Sequence, residues 1–273
     1  MHYRLIALDL DGTLLNARKQ ILPESLAALA EARAAGLEVM IVTGRHHVAI
    51  HPFYQALQLD TPAICCNGTY LYDYPARRVL AADPLRPEQA RAVLARLEQQ
   101  QIHGLMYVDN AMLYQRPTGH VLRSHAWAES LPADQRPVLQ QVDSLHAAAE
   151  QVDAIWKFAT SDEDTERLRD FAAGIERDLG LACEWSWHDQ VDVAQAGNSK
   201  GRRLAEYAAA RGIAMDQVVA FGDNFNDISM LESAGLGVAM GNSADAVKAR
   251  AAEIIGSNET SAIADFLRRR VLS

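Results

Sequence analysis

The chain has 273 residues, 49% of them hydrophobic, with 26 Lys and Arg against 35 Asp and Glu. That length and apolar content suffice for one large domain or two moderate ones with a full core, and exclude a disordered or collagen-like chain. The net charge of −9 argues against sequence-independent binding to nucleic acid or an anionic membrane, and no apolar run reaches the length of a membrane span. The opening residues, Met1 to Arg4, lead straight into a short apolar strand without the pattern of a secretion signal, so a cytoplasmic location is expected. Cys65, Cys66 and Cys183 form no spaced CxxC pair and read as reduced packing residues.

The first element is the run Leu5 to Leu8, which ends in Asp9-Leu10-Asp11-Gly12-Thr13. Side chains alternate along a strand, so Asp9 and Asp11 start on one side at its carboxyl end, where open α/β sheets place their ligands. Two carboxylates this close repel unless a cation or a shared proton lies between them, and magnesium suits such hard oxygen ligands. Asp-x-Asp-Gly alone also fits a polar strand end followed by a turn. Pro23 and Glu24 open a helix that runs to Gly36, and a second strand over 37–42 ends in Thr43-Gly44-Arg45, able to offer a phosphate oxygen a hydroxyl and a backbone donor. His46, His47 and His51 follow on an expected helix with His47 and His51 on one face, but no further ligand stands at zinc spacing. A third strand, 63–66, closes in the tight-turn pair Asn67-Gly68. These alternating segments predict a mostly parallel, doubly wound sheet.

The rhythm changes near Asp83. A helix through Val93 and Leu97, a hairpin turning on 109–111, a proline-broken loop section over 117–137, a strand over 154–159, a helix over 164–179 and a closing strand pair predict an α+β domain, 83–195, inserted into a core of 1–82 and 196–273. Alternation puts Cys183, Trp185 and Trp187 on one face, read first as part of the insert's core and second as a lid surface.

The parallel pattern resumes at Ser199, a helix cap, followed by Lys200 in the first turn, where the helix dipole disfavours a cation unless an anion is near. A buried strand over 218–221 then runs into Gly222-Asp223-Asn224-Phe225-Asn226-Asp227. This second acidic pair at a strand end of the same sheet sharpens the case for a cation site. Asn226 and Asp227 also fit a helix cap.

The four pieces Asp9-Leu10-Asp11-Gly12-Thr13, Thr43-Gly44-Arg45, Lys200 and Gly222-Asp223 through Asp227 together resemble the haloacid dehalogenase superfamily of phosphatases, with the insert placed as in the C2-type cap of its Cof-like branch. The wording of 43–54, 65–70 and 184–190 is similar to the bacterial pyridoxal phosphate phosphatases of that branch. The resemblance implies a Rossmann-like core with a cap and a magnesium-dependent phosphomonoesterase acting on a small phosphorylated metabolite, above all pyridoxal 5′-phosphate. It further implies Asp9 as nucleophile and Asp11 as acid and base, with magnesium on the Asp9 carboxylate, the Asp11 carbonyl and Asp223, and Asp227 orienting its water. The phosphate would be clamped by the Leu10 and Gly44 amides, Thr43, Lys200 and Asn226. A sugar-phosphate phosphatase or a phosphomutase shares these motifs. A non-enzymatic phosphoacceptor domain would need half this length and gives Asp11 no task.

Overall fold

The computed structural model describes residues 2–273. In chain order the first stretch holds β1 (Leu5–Leu8), α1 (Pro23–Ala34), β2 (Glu38–Ile41), α2 (His51–Ala56), β3 (Ala63–Cys65), β4 (Tyr70–Asp73) and β5 (Arg78–Ala82). Then come α3 (Pro87–Gln100), β6 (His103–Val108), β7 (Ala111–Tyr114), α4 (Gly119–Glu129), β8 (Leu139–Gln141), α5 (Leu145–Ala149), β9 (Ile155–Ser161), α6 (Thr165–Leu179), β10 (Ala182–Trp187) and β11 (Gln190–Ala194). The last stretch holds α7 (Lys200–Ala210), β12 (Val218–Gly222), α8 (Ile228–Ser233), β13 (Leu236–Ala239), α9 (Asp245–Lys248), β14 (Glu253–Ile254) and α10 (Ala262–Phe266).

The chain divides into two compact units. One comprises the chain up to Arg45, Pro52–Ala81 and Ser199–Ser273; the other comprises His46–His51 and Ala82–Asn198. In the first, strands β14-β13-β12-β1-β2 form a five-stranded sheet in which every neighbour is parallel. Both faces of a parallel sheet are covered by crossover helices, which is why Leu5, Ile6, Ala7 and Leu8 are all fully buried in an unbroken apolar run. The core of this unit joins Leu5, Ala7, Met40 and Val42 to Leu204, Tyr207, Ala220, Met230 and Val247.

In the second unit the sheet runs β10-β11-β9-β6-β7-β8, antiparallel except for the β7–β8 pair. Its own core gathers Val93, Leu94 and Leu97 of α3, Leu168, Phe171 and Ile175 of α6, and Met106, Phe158, Val191 and Val193 of the sheet. Asp164 caps α6 by accepting the amides of Glu166 and Arg167 at 3.1 Å, and Gly180, with φ of +61°, ends it.

Three local expectations fail. The section over 117–137 is not mainly loop: α4 forms because Pro117 and Pro132 bracket an eleven-residue window that itself contains no proline. His46, His47 and His51 do not share a helix. A 3₁₀ turn covers His47–Ala49, and α2 begins at His51 with Pro52 in its first turn. His46 Nε2 instead donates to the Val108 carbonyl at 2.6 Å and His47 Nε2 to Asn110 Oδ1 at 3.2 Å, so this segment belongs with the second unit. Trp185 and Trp187 do not enter the core. A register shift lies between them, Trp187 is 60% exposed, and the Arg169 guanidinium stands 5.8 Å from the centre of the Trp185 ring. Of that face, Cys183 packs against the apolar cluster.

Candidate active site

Parallel pairing aligns the carboxyl ends of β1, β2 and β12: Leu8 lies opposite Ile41 on one side and Phe221 on the other. The residues that follow these strands, Asp9, Thr43-Gly44 and Asp223, therefore emerge along one edge of the sheet. The Asp9 amide is fixed on the Phe221 carbonyl at 3.0 Å and the Thr43 amide on that of Ile64 at 2.9 Å.

Carboxylate oxygens of Asp9, Asp223 and Asp227 lie within 4.8 Å of one another. Lys200 reaches this cluster from the first turn of α7, whose start is capped by Ser199 accepting the Arg202 amide at 3.1 Å. Its ammonium, fully buried, sits 2.6 Å from Asp9 Oδ1 and 2.6 Å from Asp227 Oδ1. The other Asp227 oxygen accepts the amides of Asp223 and Asn224 at 2.9 and 3.0 Å, which shapes the loop that carries Asp223. Thr13 Oγ1 donates to Asp223 Oδ1 at 2.8 Å, and a Cβ on Gly12, whose φ is +84°, would lie 2.2 Å from Asp223 Oδ2. The turn after β1 thus needs glycine both for its backbone and for the approach of Asp223.

Three carboxylates face one ammonium. Burial and the Asp227 charge hold the Asp9 carboxyl well above the usual range, in spite of Lys200. The same two causes push Asp223 up to about 6. Burial by itself would lower Lys200, but Asp227 and Asp9 outweigh it and raise its pKa. A divalent cation on these hard oxygens would relieve the excess negative charge, so the donor set fits magnesium.

Asp11 stands apart from this cluster. Arg45 grips its carboxylate with both prongs, Nε to Oδ2 at 2.5 Å and Nη2 to Oδ1 at 2.7 Å, and Lys19 Nζ lies 2.6 Å from Oδ1. Desolvation pushes the group up, and Arg45 with Lys19 overcomes this and holds it far below the ordinary carboxylate pKa. The Arg45 guanidinium is 5.4 Å from the centre of the Phe53 ring.

Thr43, Gly44 and Asn226 meet around a residue the sequence marked only as a turn former. Asn67, at φ +56°, sends its amide to the Thr43 carbonyl at 3.1 Å and accepts Asn226 Nδ2 on its Oδ1 at 3.0 Å. That oxygen would lie 2.8 Å from a Cβ on Gly44. The donor end of the Asn226 carboxamide is therefore engaged with Asn67. Thr43 Oγ1 accepts the Arg45 amide at 3.2 Å, and the Leu10 side chain is buried with its carbonyl closing the turn onto the amides of Thr13 and Leu15. The partnership of Arg45 and Lys19 with Asp11 leaves no signal in the sequence, because a loop lysine eight residues downstream carries no motif and Arg45 stands thirty-four residues away.

A parallel sheet with an Asp-x-Asp turn, a buried lysine and an acidic loop along one edge is the framework of an α/β enzyme whose site gathers three carboxylates about one ammonium. The chain belongs to the haloacid dehalogenase-like hydrolase family, which residues 6–267 match. It is 62% identical over 267 residues, 98% of each chain, to pyridoxal phosphate phosphatase YbhA of Escherichia coli strain K12. It is 30% identical over 281 residues, 97% of this chain and 96% of the other, to 5-amino-6-(5-phospho-D-ribitylamino)uracil phosphatase YitU of Bacillus subtilis strain 168. Among solved structures, a haloacid dehalogenase-like hydrolase from B. subtilis matches with a TM-score of 0.86 at 25% identity, over 98% of this chain and all of that one. No helix of the described residues is long and apolar enough to cross a membrane.

Proposed function

We propose that the chain is a phosphomonoesterase that uses magnesium to hydrolyse pyridoxal 5′-phosphate, with Asp9 as nucleophile and Asp11 as acid and base. Near-complete alignment with a phosphatase of that ester, at 62% identity, carries the choice of substrate. The grouping of Asp9, Asp223, Asp227 and Lys200 supports the chemistry. No disulfide joins Cys65, Cys66 or Cys183 among the described residues, which suits a reducing compartment, the cytoplasm.

Asp9, Asp223 and the Asp11 carbonyl would hold magnesium, which when bound neutralises charge on the phosphoryl group and draws it toward Asp9. An Asp9 oxygen attacks phosphorus in line, its new bond forming as the ester oxygen–phosphorus bond breaks, and Asp11 supplies the proton to the departing alkoxide. Asp11 then takes a proton from the water that attacks the aspartyl phosphate, releasing inorganic phosphate and restoring Asp9. Thr43, the Leu10 and Gly44 amides, Lys200 and the second N–H of the Asn226 carboxamide, whose first is held by Asn67, receive the phosphoryl oxygens. Asp227 fixes the Asp223 loop and would orient a water of the bound magnesium. The grip of Arg45 on Asp11 favours the carboxylate, the form required of a base. To carry a proton in the first half, Asp11 must be released by both Arg45 and Lys19, for which the substrate's own phosphate dianion would compete.

The test is phosphate release across a panel of phosphorylated metabolites, with and without magnesium. Pyridoxal 5′-phosphate should be turned over best and only with the metal, and Asp9→Asn should lose on the order of 10⁴ in kcat. Near-normal turnover by Asp9→Asn would refute the nucleophile. A panel led by another ester would reassign the substrate without touching the chemistry.

A further inference from the structure

We propose that Asn242 and Asn258 are positioning residues for Asp11, acting through the backbone of the turn that follows it; the inference rests on Asp11 being the acid of the reaction. The turn contributes few strong bonds of its own. Leu15 N to Leu10 O and Thr13 Oγ1 to Asp223 Oδ1 are 2.8 Å, but Thr13 N to Leu10 O and Leu14 N to Asp9 O are both 3.3 Å long, and Gly12 at its head has the widest backbone freedom. Its outward carbonyls are taken up by side chains from the segment joining β13 to β14 and the residues just after. Asn242 Nδ2 donates to Gly12 O at 2.8 Å, and Asn258 Nδ2 donates to Leu15 O at 2.8 Å. Glu259 Oε1 accepts the Ala17 amide at 2.6 Å.

Neither carboxamide is free to turn over. The Asn258 amide donates to Asn242 Oδ1 at 3.1 Å, and a backbone N–H cannot serve an NH₂ group, so Asn242 must aim its own NH₂ at Gly12. The Leu15 carbonyl can only accept, so it fixes the Asn258 NH₂ group toward itself, and Ser257 Oγ then donates to Asn258 Oδ1 at 3.2 Å. The anchoring segment is itself tied, Gly241 N to Gly256 O at 2.9 Å. Grips at residues 12, 15 and 17 therefore fix the path by which the chain leaves Asp11 and returns Lys19 to it at 2.6 Å. Proton transfer to a leaving group depends steeply on position, so a turn released from these asparagines misplaces the acid, while Asp9, just beyond β1, stays held by its amide on the Phe221 carbonyl and Lys200 stays on α7.

The test compares Asn242→Ala, Asn242→Asp and Asn258→Ala on two esters: pyridoxal 5′-phosphate, whose alkoxide needs a proton, and p-nitrophenyl phosphate, whose phenolate leaves without one. The ratio kcat/KM covers the steps up to departure of the alcohol, which isolates the acid's role. At saturating magnesium, which keeps the Asp11 carbonyl's proposed metal site filled, it should fall about 10- to 100-fold on the alkyl ester and less than about 3-fold on the aryl ester, with inhibition by inorganic phosphate changed less than about 2-fold. Asn242→Asp keeps the shape and loses the donor, and should behave as alanine does; if the alanine variant folds poorly, the aspartate variant decides. Equal losses on both esters, or none, overturn the proposal. Asp11→Asn is the separate control: without the same dependence on the ester, the acid assignment itself falls, whatever the asparagines do.

Discussion

A lysine buried between Asp9 and Asp227, with no exposed side-chain surface, is kept charged by its neighbours as much as it neutralises them. Removing it leaves three carboxylates confronting one another out of water, and breaking a buried pair in this way costs about 3–5 kcal/mol. Lys200→Met should therefore melt about 10 °C below the parent in a chelator, taking a few degrees per kcal/mol for a chain of this size. Millimolar magnesium should recover more of that loss than it adds to the parent, because the variant's acidic cluster has a cation's work left undone. A thermal melt with and without the metal measures both. Equal magnesium shifts in the two proteins would mean that the ion binds elsewhere than among Asp9, Asp223 and Asp227.

Among the elements, the approach of α7 to α8 determines where Lys200 arrives. The Gly201 amide donates to Ser229 Oγ at 3.0 Å, and a Cβ on Gly201 would lie 2.2 Å from the Ser229 carbonyl oxygen. Gly201→Ala must push the helices apart, at a cost of about 1–3 kcal/mol for overpacking, and should lower kcat together with the melting temperature because Lys200 retreats from Asp9. Activity unchanged in a destabilised Gly201→Ala would show that α7 placement is not critical. Such packing is where the sequence stops being legible. β1, β2 and β12 could be read because a buried parallel strand is an unbroken apolar run, and Lys200 because a cation in a first helical turn calls for an anion. Neither the shift between Trp185 and Trp187 nor the hold of Arg45 and Lys19 on Asp11 has a local pattern. The first is one residue of slippage against β11, and the second joins residues eight and thirty-four positions from Asp11 that only the folded turn brings together.

At the scale of the molecule, two units with separate cores carry buried titratable groups of opposite sense. In the inserted unit burial depresses His46, and it pushes His47 and His120 down to about 4. These rings are neutral when folded, while the unfolded chain takes up protons near pH 6.5, so stability is lost as pH falls from about 6.5 towards 4. At about 1.4 kcal/mol per pKa unit, His47, which is 4% exposed, accounts for roughly 3 kcal/mol of that loss. In the other unit Asp223, raised to about 6, works the other way: the folded state binds the proton first, and stability is gained as pH falls from about 6 to 4 because repulsion within the acidic cluster is relieved. Calorimetry in a chelator should accordingly show acidification from pH 7 to 5 lowering the transition of the inserted unit by several degrees while that of the acidic unit does not follow it down. Magnesium identifies the second transition by raising it, and should also erase its gain on acidification, since the ion and the proton compete for the same oxygens. His47→Gln should remove part of the acid sensitivity of the first transition and leave the magnesium response intact. Two transitions that fall together with acid, in the presence and absence of metal alike, would contradict this division of charge between the units.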